Sequence, residues 1–136
     1  MSDLLLVCLD TSFLIALIRR DNDAEEKLEL YTRANEEITT TPICASELYS
    51  GAYRSQKKEI EVKKVKEYLS RIQMLEFSNQ ACEKFGRVKS ELESKGTPVG
   101  DFDIMIGAIA LTHAQSVLAR DVGHFQEISG LAVETW

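Results

Sequence analysis

The chain has few of the residues that punctuate disordered or fibrous proteins: two prolines and seven glycines in 136 residues. With 44% hydrophobic and 28% charged residues, low complexity and intrinsic disorder are excluded. A membrane-length apolar run is also missing. The stretch LLLVCL at 4–9 is far too short to cross a bilayer, and no basic segment or small-residue cleavage site makes it a secretion signal. Cysteine is scarce. Cys8, Cys44 and Cys82 are odd in number, widely spaced and without a CxxC pair, which excludes a disulfide framework and indicates a reduced, cytoplasmic protein with small buried thiols. Only two histidines occur, His113 and His124. They lack metal-ligand spacing and read as surface or core residues. There is no glycine-rich phosphate loop and no GxSxG, so neither nucleotide-cradling nor serine-hydrolase chemistry is indicated.

Excess positive charge is absent too. The net charge is −6, which excludes a generic nucleic-acid coat, since phosphate binding wants a basic surface. The charge is uneven, however. Between Arg54 and Arg71 stand seven basic residues (Arg54, Lys57, Lys58, Lys63, Lys64, Lys66, Arg71) against Glu59, Glu61 and Glu67. Such a stretch is either a solvated helix face or a surface for phosphate.

What is present alternates. LLLVCL (4–9) reads as a strand covered on both faces. DTSFLIALIRR predicts a turn and an apolar helix closing on Arg19 and Arg20. Residues 21–35 predict an amphipathic helix with Leu28, Leu30 and Tyr31 inward. EEITTT (36–41) is a short strand. TPICASELYSGAY is a helix with Thr41 as N-cap and Pro42 at its first position. Residues 56–71 carry Ile60, Val62, Val65, Leu69 and Ile72 at helical spacing. Residues 74–77 predict a strand, 80–95 a helix ended by Gly96 and Pro98, 104–114 a buried helix, and SVLA (116–119) and LAVETW (131–136) two last strands. Strands alternating with helices predict one domain, residues 1–136, built on a parallel sheet with helices on both faces.

Ligands of such sheets bind beyond the carboxyl ends of the strands, and acidic residues gather there. Asp10 ends the first strand. Glu47 follows the second by about a turn and a half of helix. Asp101 and Asp103 stand at the mouth of the apolar helix PVGDFDIMIGAIALTHA. Asp121 follows SVLA. Taken singly, each has an ordinary structural reading as a turn or cap residue. Together at one sheet edge they would repel and raise each other's pKa unless a cation neutralised them. Oxygen donors without His or Cys suit Mg²⁺ or Mn²⁺, whose chemistry on phosphodiesters is to activate water and stabilise developing charge. Residues two apart on a helix face differently. Below Asp103 lie Gly107, Ala110 and Ala114, small residues that would let the helix approach the sheet; below Asp101 lie Ile104, Met105 and Ala108. Asp101 is thus the expected N-cap and Asp103 the expected ligand.

LLVCLDTSFLIALI resembles the opening motif of PIN-domain nucleases, TPICASELYSGA their second motif, and PVGDFDIMIGAIALTHAQSVLARDVGHF with ISGLAVETW their third and fourth, in the right order from Leu5 to Trp136. The subgroup it resembles is the VapC-like toxins of prokaryotic toxin–antitoxin pairs. The resemblance implies a three-layer α/β/α sandwich with a central, mostly parallel sheet and a Mg²⁺- or Mn²⁺-dependent endoribonuclease. It places the metal-binding and catalytic acids at Asp10, Glu47, Asp103 and Asp121, with Asp101, Thr11 and Ser12 auxiliary. His124 departs from the family, where Asp commonly precedes the aromatic residue at 125. Implied partners are an RNA substrate, a cognate antitoxin and a second copy of the chain. Arg54, Lys57, Lys58, Lys63 and Lys64 are the expected RNA contacts, with Arg19, Arg20 and Arg120 further phosphate candidates. A processing nuclease of the same fold, or a module that binds RNA or a partner without cutting, is the alternative. A haloacid-dehalogenase-type phosphatase would need a second Asp two residues after Asp10, where Ser12 stands. A phospho-receiver would need a Lys at the late strand end, where SVLARD offers Arg120.

Overall fold

Every strand of the central sheet is short and every pairing parallel, which is why helices must cover its faces. The computed structural model describes residues 6–136; Leu4 and Leu5 of the predicted first strand lie outside the described residues. In chain order the elements are β1 (Leu6–Leu9), α1 (Thr11–Ile18), α2 (Asn22–Arg33), β2 (Glu37–Thr40), α3 (Pro42–Arg54), α4 (Lys58–Leu69), β3 (Gln73–Met74), α5 (Asn79–Ser94), α6 (Asp101–Thr112), β4 (Ser116–Leu118), α7 (Gly123–Gln126) and β5 (Val133–Glu134). The sheet order is β3-β2-β1-β4-β5. From β1 the chain winds outward through β2 and β3, then crosses back to lay β4 against the other side of β1. The crevice beyond β1 and β4 is therefore the topological switch point, the place where open parallel sheets bind ligands.

The centre is dry. Val7, Cys8 and Leu9 of β1 have no exposed surface, nor do Phe13 and Leu14 of α1 or Val117 and Leu118 of β4. Thr39 and Thr40 of β2 are equally buried. They are tolerated because their hydroxyls are bonded: Thr40 donates to the Leu9 carbonyl at 2.8 Å, and Thr39 Oγ1 lies 2.8 Å from Gln115 Oε1.

Local chemistry sets the helix ends. Asp21 accepts from the Ala24 N–H and starts α2. Thr41 accepts from the Cys44 N–H, with Pro42 behind it, and starts α3 as expected. Gly96, at φ +68°, ends α5 in the left-handed conformation that glycine adopts without strain. Two inward assignments are corrected. Leu30 and Ile60 are 58% and 56% exposed. The buried stripe of α2 runs through Ala24, Leu28 and Tyr31, and that of α4 through Val62, Val65 and Leu69, each at i+3 or i+4 spacing that turns Leu30 well away from its stripe and sets Ile60 nearly opposite its own. The strand predicted at 74–77 is reduced to Gln73–Met74, although the Leu75 N–H still donates to the Thr40 carbonyl at 2.8 Å. Among the described residues, no helix is long and apolar enough to cross a membrane.

Candidate active site

Asp10 leaves β1 at the switch point. Its N–H donates to the Leu118 carbonyl at 3.0 Å, which continues the β1–β4 pairing one step beyond the strands. Its side chain serves as the N-cap of α1: Oδ2 accepts from the Ser12 N–H at 3.3 Å and from the Ser12 hydroxyl at 2.8 Å. Ser12 Oγ in turn accepts from the Arg120 N–H at 3.1 Å. One serine hydroxyl thus joins the ends of the two strands that frame the crevice. Asp10 is 9% exposed. Burial pushes its carboxyl above the ordinary aspartate range; the Ser12 bonds pull it down, and the charge of Asp103 pushes it up again.

Glu47 comes from the middle of α3 and is half-buried. The Thr11 hydroxyl donates to Glu47 Oε1 at 2.7 Å. Asp103 stands in the first turn of α6, where a carboxylate is favoured by the helix dipole. Its Oδ2 lies 3.1 Å from His124 Nδ1, a bond that requires the Nδ1–H tautomer. Asp121 is exposed, and its Oδ1 accepts from the Gly123 N–H at 3.1 Å, capping the turn into α7. The expectation that Asp101 caps α6 is corrected. Gly100 occupies the N-cap without a side-chain bond, and Asp101 turns outward to Lys89 Nζ at 2.8 Å. The helix begins one residue earlier than the capping assignment required.

The small-residue stripe also works differently from the expectation. A Cβ on Gly107 would come within 2.6 Å of Ile128 Cδ1 and 3.3 Å of Leu131 Cδ2. The glycine makes room for the chain leading into β5, rather than for a strand beneath α6. Gly107 thereby seats the C-terminal segment against the helix that carries Asp103.

Among the described residues, no three His, Cys, Asp or Glu side chains stand close enough together to hold an ion. The four acids are held separately: the charge of Asp103 acts on Asp10, Glu47 is bonded to Thr11, and Asp121 is turned to its own loop. A Mg²⁺-like cation keeps several waters and uses one or two carboxylates. An oxygen-only donor set built on a buried aspartate with a second negative charge nearby fits such a cation, which would relieve both burial and repulsion. His113, whose Nε2 lies 3.1 Å from the Glu76 carbonyl, has a structural tie. Cys44 is buried beside Thr41, as the packing reading expects.

Of the five expected RNA contacts, Lys64 alone lines the cavity of about 390 Å³ that Glu47 opens into, together with Arg19 and Glu61. Arg54, Lys57, Lys58 and Lys63 are exposed on α3, α4 and the joint between them. Two contacts escaped the sequence reading. His124, read as a surface or core residue, touches Asp103. Arg120 lies over the Trp136 ring, 4.4 Å from its centroid. The second had a signal in the sequence: Arg120 follows β4 and Trp136 follows β5, and adjacent parallel strands carry their exits to the same edge.

The PIN domain family profile matches residues 7–131. The chain belongs to the PIN domain family. It is 30% identical over 129 residues to Ribonuclease VapC2 of Rickettsia felis, spanning 94% of this chain and 96% of that protein. To the tRNA(fMet)-specific endonuclease VapC of Salmonella typhimurium it is 31% identical over 128 residues, again spanning 94% and 96%. Among solved structures, VapBC2 from Rickettsia felis bound to a promoter DNA fragment superposes with a TM-score of 0.91 at 28% identity, over 97% of this chain and 99% of that one. The resemblance and the parallel-sheet PIN architecture expected from the sequence are both borne out.

Proposed function

We propose that this PIN protein is a Mg²⁺- or Mn²⁺-dependent endoribonuclease and the toxin of a toxin–antitoxin pair, with residues 1–136 acting as one nuclease domain. The observation that carries this reading is the buried Asp10 carboxylate at the switch point of the sheet, bonded through its N–H to the end of β4, in a chain that matches the PIN family over residues 7–131. Relatives named as ribonucleases support RNA as the substrate. Structural neighbours solved as VapBC assemblies support an antitoxin partner. Asp10 with Asp103 and Glu47 would hold the cation, largely through its bound waters since the three carboxylates do not converge, and Asp121 would orient water or a further ion. When bound, the cation supplies an activated water and charge stabilisation at the phosphate.

The rest is done by the chain itself. Ser12 fixes the Asp10 carboxylate, Thr11 holds Glu47, and His124 holds Asp103, so three carboxylates from distant segments keep their aim without mutual contact. Asp101, paired with Lys89, is left at most an outer role. Lys64, paired with Glu61 at 3.6 Å, lines the same cavity as Glu47 and can exchange that exposed pairing for backbone phosphate, while Arg54, Lys57, Lys58 and Lys63 extend the basic surface. The antitoxin binds over this edge and blocks it, and the protein works as a cytoplasmic homodimer.

The test is a cleavage assay of wild type beside Asp10→Asn, with Mg²⁺, with Mn²⁺ and with a chelator. Wild type cuts RNA with metal and stops with chelator, and the variant is inactive. RNA binding without metal-dependent cleavage of any RNA tried would assign a binding module instead. Growth arrest on expression, relieved by co-expressing the product of a small adjacent reading frame, separates a toxin from a processing nuclease.

A further inference from the structure

The three arginines near the site differ in what they touch. Arg20 is paired with Glu25 at 3.3 Å. Arg19 and Arg120 take part in no salt bridge among the described residues. Both line one cleft of about 460 Å³, together with Ser12, Ile15, Asp21 and Trp136. Ser12 is the residue that holds the Asp10 carboxylate, so the cleft begins one hydrogen bond from the proposed catalytic centre. Arg19 also borders the cavity that contains Glu47, which makes the two spaces neighbours across α1.

The cleft is fixed in shape. The Trp136 ring stands edge-on to Phe13, with centroids 4.9 Å apart and planes at 80°, and Phe13 has no exposed surface. Arg120 Cζ lies 4.4 Å from the centroid of that ring, within range of a cation–π contact, while the residue remains exposed. The one carboxylate on the rim, Asp21, is occupied in capping α2 through the Ala24 N–H. Two guanidinium groups outnumber that one carboxylate, so the cleft is locally cationic in a chain of net charge −6, and the guanidinium fork matches phosphate geometry.

We propose that Arg19 and Arg120 form a phosphate subsite for the RNA backbone flanking the cut bond, with the Trp136 ring holding Arg120 in place. The assignment rests on the ribonuclease reading above for its substrate class. It gives the substrate a direction: the strand enters past Lys64 and Glu47, crosses the Asp10 edge, and is gripped again in the Arg19–Arg120 cleft.

The test is the salt dependence of binding of a fluorescently labelled single-stranded RNA oligonucleotide, measured in chelator so that no cleavage runs. Each phosphate contact on a single strand contributes about 0.7 to the slope of log K against log salt. The double variant Arg19→Gln/Arg120→Gln lowers that slope by about 1.4, each single variant lowers it by about half as much, and Arg19→Lys restores it. Should Arg120→Gln fold poorly for want of the Trp136 stack, as a thermal melt would reveal, Arg19→Gln alone decides. An unchanged slope in Arg19→Gln overturns the subsite, and an unchanged slope with a weakened antitoxin complex gives the cleft to the protein partner instead. Cleavage by the wild type in Mg²⁺ or Mn²⁺ is scored separately. An active enzyme with an unchanged slope loses only the subsite; a lowered slope on a protein that never cuts loses only the nuclease reading.

Discussion

Thr11 donates its hydroxyl to Glu47 Oε1 across 2.7 Å, tying the first turn of α1 to the middle of α3. A carboxylate in a catalytic edge needs a fixed aim, and partners one step behind such ligands are worth about 10- to 100-fold in activity or metal affinity. Thr11→Val removes the donor while keeping the shape. We expect kcat to fall about tenfold and Thr11→Ser to recover most of it, read in the RNA cleavage assay. Stability should change by no more than about 1.5 kcal/mol, because Thr11 is only partly buried.

The two aspartates of α6 should separate cleanly. Asp103→Asn is expected to abolish cleavage, while Asp101→Asn keeps most of it, since Asp101 faces away to the exposed Lys89. An inactive Asp101→Asn beside an active Asp103→Asn would reverse the assignment. His124→Ala, which releases Asp103 Oδ2, should weaken activity by about tenfold without lowering the melting temperature, because His124 is exposed.

Asp10 yields a pH prediction with a definite sign. Its carboxyl is raised above the ordinary aspartate value by burial first, then by Asp103. A carboxyl raised in the folded state stabilises the protein fully below the unfolded value, near pH 3.9, and that contribution is lost as pH rises through the folded value. In chelator, Asp10→Asn should therefore match wild type in acid and melt at a higher temperature at neutral pH. Added Mg²⁺ or Mn²⁺ should raise the melting temperature of wild type and not of the variant. Equal melting curves at pH 7 in chelator would show that Asp10 carries no such strain.

Gly107 is the tightest spot in α6. A valine there would drive its Cβ to within 2.6 Å of Ile128 Cδ1, forcing that 2%-exposed side chain to shift within the core. Overpacking of this kind costs about 1–3 kcal/mol. Gly107→Val should lower the melting temperature by roughly 5–10 °C in a domain of this size, as a thermal melt by circular dichroism would record.

Much of this was legible in the chain. Alternation of short apolar runs with helical patterns carried the parallel sheet, and Thr41 with Pro42 marked the start of α3 because cap chemistry is local. Strand order marks Asp10, Glu47, Asp103 and Asp121 as candidates, and of these the structure sets Asp10 at the crevice beyond β1 and β4. What could not be read was how each carboxylate is held. The Asp103–His124 contact joins residues whose meeting depends on where α7 settles, and no local pattern encodes that. Asp101 misled because a one-residue shift at a helix mouth exchanges the cap for the first helical position.

The Ser12 hydroxyl and the Arg120 N–H that meet across the crevice are 108 residues apart. Contacts of such separation form late, after the loops between them have closed. A ribosome that has made residues 1–115 has already made Asp10, yet without β4 the crevice at which Asp10 stands does not exist. The crevice proposed as the reactive edge therefore comes into being only once β4 has been made.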